Sequence, residues 1–458
     1  MTTHRHLPAL LLGLDLVATV LVFNAMIRFR GLNVADGIIL EPLAMPCLAV
    51  IFSIYLIEGY SLRTDMLRVD YTSQHTIALL GAMLGTLLIT FVFIYSGYEL
   101  QSSRFVIALS FIALMPVTLA YRRFLYLRFF PRREARSIVF VGDLSSRELF
   151  REECLKMGTT HPVVYGTVDQ KTGGSDATVP PDGALPFHQI LNDIRAQRLA
   201  VEAIVLRESA RELVPRVSRE LVGLYFAGVP TYTLELFHQV YWRKIPVYRL
   251  NQTWLFQEGF RIAREPVFDR LKRITDIALA GGGLALTSPI ILASALAIWL
   301  EDRGKVFFVQ TRIGKNHVSF PIVKLRTMRS DDGKGALYTL PHDARITKVG
   351  RFLRAARLDE LPQLWNVLRG DMSLIGPRPE WARLVDQYER DIPCYHFRHL
   401  VKPGITGWAQ VNYPYGANID DTVRKLEYDL YYIRHFSFVL DATIALKTIH
   451  IMIFGKGQ

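Results

Sequence analysis

Two neighbouring carboxylates, Asp359 and Glu360, stand in a stretch crowded with arginines. Arg345, Arg351, Arg354 and Arg357 lie near them on one side, and Arg378 follows between Pro377 and Pro379. Guanidinium groups keep their charge at physiological pH and grip phosphate oxygens two at a time. A carboxylate in the same place can hold Mg2+ or act as a covalent nucleophile. The mixture suits a phosphorylated substrate, with Asp359 and Glu360 as candidate catalytic and Mg2+-binding residues. A solvated amphipathic helix with charges paired at i,i+4 gives the same pattern without chemistry.

Two further blocks accompany it. KLRTM occupies 324–328, LDELPQLWNVLRGDMSLIGPRPE occupies 358–380, and KPGITGWAQVNYPYG occupies 402–416. In this order they resemble the signature blocks of the bacterial sugar transferases, the polyprenyl-phosphate hexose-1-phosphate transferases of the monotopic phosphoglycosyltransferase superfamily. The resemblance runs from about residue 264 to the C-terminus. It implies that Asp359 attacks the β-phosphorus of a nucleoside-diphosphate sugar, by analogy a UDP-sugar. The phosphosugar then passes to polyprenyl (undecaprenyl) phosphate, with Mg2+ as cofactor.

The resemblance also implies roles for single residues. Arg354 matches a position near the polyprenyl phosphate, and Arg378 falls in the motif associated with the nucleotide. Lys324 and Arg326 lie in a region beside the active site, as electrostatic or positional support. Glu360 is assigned to positioning or acid/base work beside the metal. Close relatives serve the first membrane step of exopolysaccharide assembly, with the catalytic domain on the cytoplasmic side of the bacterial inner membrane. Which sugar is used stays open, as does the oligomeric state, a homodimer included. A catalytically inactive membrane scaffold is the rival; the intact dyad and Arg378 argue against it.

These residues need elements to hold them. With 458 residues, 50% of them hydrophobic, and a net charge of +12, the chain exceeds one soluble domain. The basic balance suits phosphate groups or an anionic lipid bilayer. No RNP-type sequence, zinc-finger spacing or basic zipper speaks for nucleic acid. The expected fold is a multidomain membrane protein: a four-helix transmembrane bundle over 1–134, a Rossmann-like α/β middle domain over 135–250, and a re-entrant membrane hairpin with a mainly α catalytic domain over 251–458.

The bundle is read from four apolar runs, at 7–27, 38–60, 75–98 and 105–120, each near the length of a bilayer helix. The first lacks the small-residue cleavage site of a removable signal, so it is expected to be retained. Arg122, Arg123, Arg128, Arg132, Arg133 and Arg136 after the fourth run belong on the cytoplasmic side. Arg63 and Arg68 agree with that orientation, while Arg28 and Arg30 count against it.

In the middle domain, β-rich segments such as SIVFVGD at 137–143 alternate with helical patterns. A dinucleotide would need several glycines at the first turn. After Gly142 come Asp143, Leu144 and Ser145, so a structural or regulatory role is favoured over a nucleotide cofactor.

The apolar run 277–300 carries Ser288-Pro289 near its centre and basic residues at both ends, Arg270, Lys272 and Arg273 before it and Arg303 and Lys305 after it. Proline removes a helix hydrogen bond, and a straight crossing would leave one basic group on the wrong face. A hairpin broken at Ser288-Pro289 returns the chain to its own side, with Ser288 available to satisfy the freed backbone. The family resemblance implies the same break; a straight crossing is the alternative. Asp359 is expected to cap the next helix, and Trp408 and Tyr413 are candidate ligand covers or interfacial anchors. His396 and His399, at i,i+3, lack a clear third metal ligand and read as ordinary packing. The three cysteines, Cys47, Cys154 and Cys394, offer no disulfide framework.

Overall fold

The computed structural model describes residues 7–31, 38–61, 64, 66–67, 69–92, 104–129, 136–159, 161–167, 184–207, 215–247, 266–329, 345–413 and 418–454. Arg63, Arg68, Arg132 and Arg133, used above for orientation, lie outside these residues. The chain divides into two compact units. One comprises Met1–Pro131 with Ser437–Ile453, and the other Arg132–Phe436 with Phe454–Gln458. The last helix thus groups with the N-terminal ones, rather than with the segment expected to begin at 251.

The first unit contains α1 (Leu7–Phe29), α2 (Ala44–Leu56), α3 (Val69–Val92) and α4 (Arg104–Phe129). Three of these are long and apolar enough to cross a membrane, and α2 is a shorter apolar helix of 13 residues. Their inner faces share a core of Phe23, Val50, Ile54, Leu79, Phe111 and Leu114. Leucines at 21, 48, 84 and 88 point outward, the arrangement of a bundle whose solvent is lipid. The protein is a membrane protein.

One arginine differs from its expected place. Arg122 lies inside α4, fully buried, and pairs with Asp15 of α1 while donating to the carbonyl of Gly59 at 2.6 Å. A charge within an apolar bundle is tolerated only when paired, so Arg122 ties helices together instead of marking the cytoplasmic surface.

In the second unit β1 (Ser137–Val141), α5 (Leu144–Lys156), β2 (Val163–Thr167), β3 (Leu185–Pro186), α6 (Phe187–Arg195), β4 (Val201–Leu206), α7 (Pro215–Phe226) and β5 (Thr231–Thr233) come first. The strands form one parallel sheet ordered β3-β2-β1-β4-β5. Its period of two is visible in the packing. Val139, Val141, Ile204 and Leu206 enter one core with Phe187 and Ile190, while Ile138, Phe140, Ala203 and Val205 enter another with Phe150 and Phe237. Both faces are covered, as a parallel sheet requires. Where a dinucleotide phosphate would approach, the Asp143 carboxylate stands at the start of α5 and pairs with Arg207.

The short helix α8 (Leu234–Phe237) and a π-helical turn, His238–Trp242, lead away from the sheet. Lys244 beyond them is 2% exposed and bridges Glu153 of α5, at 2.7 Å, to Glu427, at 3.2 Å. The backbone N–H of Ile245 donates to the carbonyl of Glu427 at 3.0 Å. The remainder consists of α9 (Pro266–Asp302), the antiparallel hairpin β6 (Phe307–Ile313) and β7 (Ser319–Leu325), α10 (Lys348–Ala355), α11 (Gln363–Arg369), β8 (Ser373–Ile375), α12 (Ala382–Asp391), β9 (Gly404–Thr406), α13 (Trp408–Asn412) and α14 (Ile419–Arg434). The final helix, α15, is Phe438–Phe454.

α9 is helical throughout its 37 residues, with Pro289 inside it, so the expected break does not interrupt the helix. Proline leaves the carbonyl four residues earlier, that of Ala285, without its helical donor. The Ser288 hydroxyl supplies one, donating to Ala285 O at 2.8 Å.

Candidate active site

The carboxylate dyad sits on a short 3-10 turn, Leu358–Glu360, between α10 and α11. The turn begins at Arg357, whose φ of 57° is unusual for a residue with a side chain. Asp359 does not cap the next helix; Pro362 occupies the position before α11, without a side-chain cap. The two flanking helices are instead held by opposite ends of α9. Near its start, Arg273 donates to the carbonyls of Val367 and Leu368 at 2.5 and 2.7 Å, closing the C-terminus of α11. At its end, Glu301 accepts from the backbone N–H groups of Lys348 and Val349 at 2.8 and 3.3 Å, where α10 begins. Each charge complements the helix dipole it meets.

β7 forms one wall. Asn366 of α11 accepts from the Val323 N–H at 3.1 Å and donates to the Pro321 carbonyl at 2.8 Å, fixing strand to helix. The strand then delivers Lys324, whose Nζ lies 3.2 Å from Glu360 Oε1. Arg378 approaches the same oxygen at 3.3 Å. Arg354 donates to Thr327 Oγ1 at 3.0 Å and lies near enough to Asp359 to lower its proton affinity. Lys324, Arg354, Arg378, Asp359 and Glu360 therefore share one site.

Arg326 does not join them. It pairs with Asp302 at the end of α9, and its guanidinium fills the space beside Gly304. Arg326 stands one residue past the end of β7 and tethers α9 to the hairpin. Ser288 and Pro289 lie in α9, away from the dyad in the chain, and act on the helix itself.

The two carboxylates are driven apart. Burial works against the charge of Glu360, but Arg378 and then Lys324 outweigh it and hold the carboxyl at about 2. Asp359 moves the other way: burial and then the neighbouring Glu360 charge raise its pKa, with Lys324 and Arg354 opposing. Burial also lowers the pKa of Lys324, and Arg378 adds to that effect. A fixed anion beside a more basic carboxylate is the division of labour that separates a stabiliser from a nucleophile.

Two motif segments close the site through glycines. β8 and β9 pair in parallel. A Cβ on Gly376 would come within 2.4 Å of the Lys402 carbonyl, and one on Gly407 within 2.1 Å of the Gly376 carbonyl. The spacing of these glycines thus records backbone approach, not flexibility. Beyond β8, Arg398 is buried with Asp429, at 2.9 Å, and donates to the carbonyl of Arg378 at 3.0 Å. Sequence reasoning missed this pair, because 31 residues separate its members and neither belongs to a charged cluster.

Trp408 differs from its expected place too. It is 2% exposed and donates to the carbonyl of Arg243 at 2.8 Å, so it packs the two α/β parts together. Residues 414–416 of the same block lie outside the described residues. Exposed apolar groups lie elsewhere in this unit, at Phe352 and Trp365 and along α9 at Leu286, Leu292 and Leu300.

A family model described as "Bacterial sugar transferase" matches residues 267–455. The chain is 39% identical over 279 residues to a UDP-N-acetylgalactosamine-undecaprenyl-phosphate N-acetylgalactosaminephosphotransferase of Aeromonas hydrophila, covering 60% of this chain and 62% of that protein. It is 33% identical over 323 residues to a UDP-glucose:undecaprenyl-phosphate glucose-1-phosphate transferase of Escherichia coli (strain K12), covering 69% and 67%. Against the exopolysaccharide production protein PSS of Rhizobium leguminosarum bv. phaseoli it is 41% identical over 187 residues, covering 39% and 93%.

Proposed function

Since the chain belongs to the bacterial sugar transferase family, we propose that it transfers a sugar 1-phosphate from a UDP-sugar to undecaprenyl phosphate at the cytoplasmic face of the bacterial inner membrane. The observation that carries this reading is the Asp359-Glu360 turn enclosed by Lys324, Arg354 and Arg378. Arginine and lysine here can take the diphosphate oxygens, and the exposed apolar groups of the same unit suit a lipid acceptor.

A carboxylate oxygen of Asp359 attacks the phosphorus that bears the sugar. The bond from that phosphorus to the bridging oxygen breaks, and the nucleoside monophosphate leaves with the electron pair. An oxygen of undecaprenyl phosphate then attacks the same phosphorus, the bond to Asp359 breaks, and the carboxylate is restored. Arg378 and Lys324 orient the donor and fix Glu360 in its anionic form; Arg354 takes the acceptor phosphate.

Mg2+ fits the donor set. Two adjacent carboxylates supply hard oxygen ligands, and Asp359, whose pKa is raised by burial and then by the Glu360 charge, is a buried anion that a divalent cation stabilises. Asp359 and Glu360 would hold it, and it would supply charge neutralisation for the phosphoryl group.

For α9 the proposed arrangement is re-entrant. Supporting it are the basic residues at both ends and the Ala285 carbonyl, which Pro289 leaves without its helical donor and Ser288 satisfies. The middle sheet is read as Rossmann-like from its strand order, with a structural role, and the pathway served as the start of exopolysaccharide assembly. The relatives name both N-acetylgalactosamine and glucose, so the likeness does not select the sugar.

The test uses membranes carrying the protein, radiolabelled UDP-sugars and undecaprenyl phosphate. Release of UMP with formation of a lipid-linked phosphosugar, lost in Asp359→Asn, is the expected result. Release of UDP overturns the reading, because it denotes direct glycosyl transfer.

A further inference from the structure

Away from the dyad, three ligand-type side chains converge from separate elements. His317 lies in the turn between β6 and β7, Glu389 on α12, and His399 on the 3-10 turn Tyr395–Leu400. Their ligating atoms all lie within 4.8 Å of one another. His317 Nδ1 is 3.4 Å from Glu389 Oε1, and His399 Nε2 is 4.0 Å from the same oxygen. His396, its companion in the sequence, packs instead against Phe397, with ring centres 4.2 Å apart.

His399 is the telling member. It is 4% exposed, yet its Nε2 has no hydrogen-bond partner. A buried polar atom left in this way calls for an explanation. The ring lies beside the Gly314 backbone, and its Nε2 faces Glu389, 4.0 Å from Oε1.

We propose that His317, Glu389 and His399 form a Zn2+ site. Two imidazoles and one carboxylate match the three-ligand sets of zinc, with water completing the tetrahedron, and imidazole ligands disfavour Mg2+. Zinc bonds of about 2.0–2.1 Å need ligand atoms roughly 3.3 Å apart. One pair already meets that spacing, and the half-exposed side chains of His317 and Glu389 can close the rest by rotation. The bound ion staples the hairpin that carries Lys324 to the segment in which Arg398 holds Arg378. Its role is structural, and it is independent of the reaction assigned to Asp359.

The test uses the full chain in detergent, free of any histidine tag, stripped by a chelator and supplied with millimolar Mg2+. Zn2+ is titrated against a chromophoric competitor. The expected result is one equivalent bound per chain, weakened at least tenfold in both His317→Ala and Glu389→Gln. Zn2+ should also raise the unfolding midpoint of the unaltered protein and not of the variants. Both substitutions fall outside the buried core, and an unchanged unfolding midpoint without Zn2+ verifies that the variants fold. Absence of stoichiometric binding, or equal binding by the variants, overturns the proposal.

Discussion

Lys324 and Glu360 meet at 3.2 Å across 36 residues of sequence. This contact joins the β6–β7 hairpin to the turn that bears the dyad, and with Arg378 it decides which carboxylate keeps a permanent charge. Asp359, one residue earlier, is left as the more basic of the two.

The acid limb of kcat/KM should therefore report Asp359. Its pKa is raised, so activity appears as pH rises through a value above the ordinary 3.8. Glu360→Gln removes the neighbouring charge and should shift that limb towards lower pH, while reducing kcat. A limb that stays in place in the variant would dissociate Asp359 from catalysis.

Glu360 also makes stability depend on pH. Its folded pKa of about 2 lies below the ordinary 4.5, so its contribution is complete above 4.5 and is lost as pH falls towards 2. The shift corresponds to something on the order of 3 kcal/mol. The difference in unfolding midpoint between the unaltered protein and Glu360→Gln should shrink steadily between pH 5 and pH 3. A constant difference would mean that the ion pairs do not persist in solution.

Arg398→Met leaves the Asp429 carboxylate buried without its cation, which typically costs about 3–5 kcal/mol. The double variant Arg398→Met with Asp429→Leu should recover much of that loss in thermal unfolding. It should not recover the KM for the UDP-sugar, because the Arg378 carbonyl has lost its donor. Recovery of both would limit Arg398 to a packing role.

The topology of α9 is open to cysteine labelling, in a background with Cys394 replaced. Arg270→Cys and Lys305→Cys, both exposed, should react with a membrane-impermeant maleimide in inverted vesicles and resist it in intact cells. Labelling of the two from opposite sides would rule out the re-entrant arrangement.

The sequence by itself determined the kinds of element and the neighbourhood of the chemistry. Apolar runs of bilayer length, alternation of two in the middle strands, and the block around Asp359 are local patterns, and local patterns survive in a linear reading. Tertiary structure decided the partners. Arg326 went to Asp302 and Arg122 to Asp15, although each had been read with its neighbours in the chain. Arg398 found Asp429, and His399 found His317 and Glu389 instead of His396. The physical reason is that a charge is satisfied by whatever packing brings within a few ångströms, and here packing pairs residues from 10 positions apart, His399 with Glu389, to 107 apart, Arg122 with Asp15.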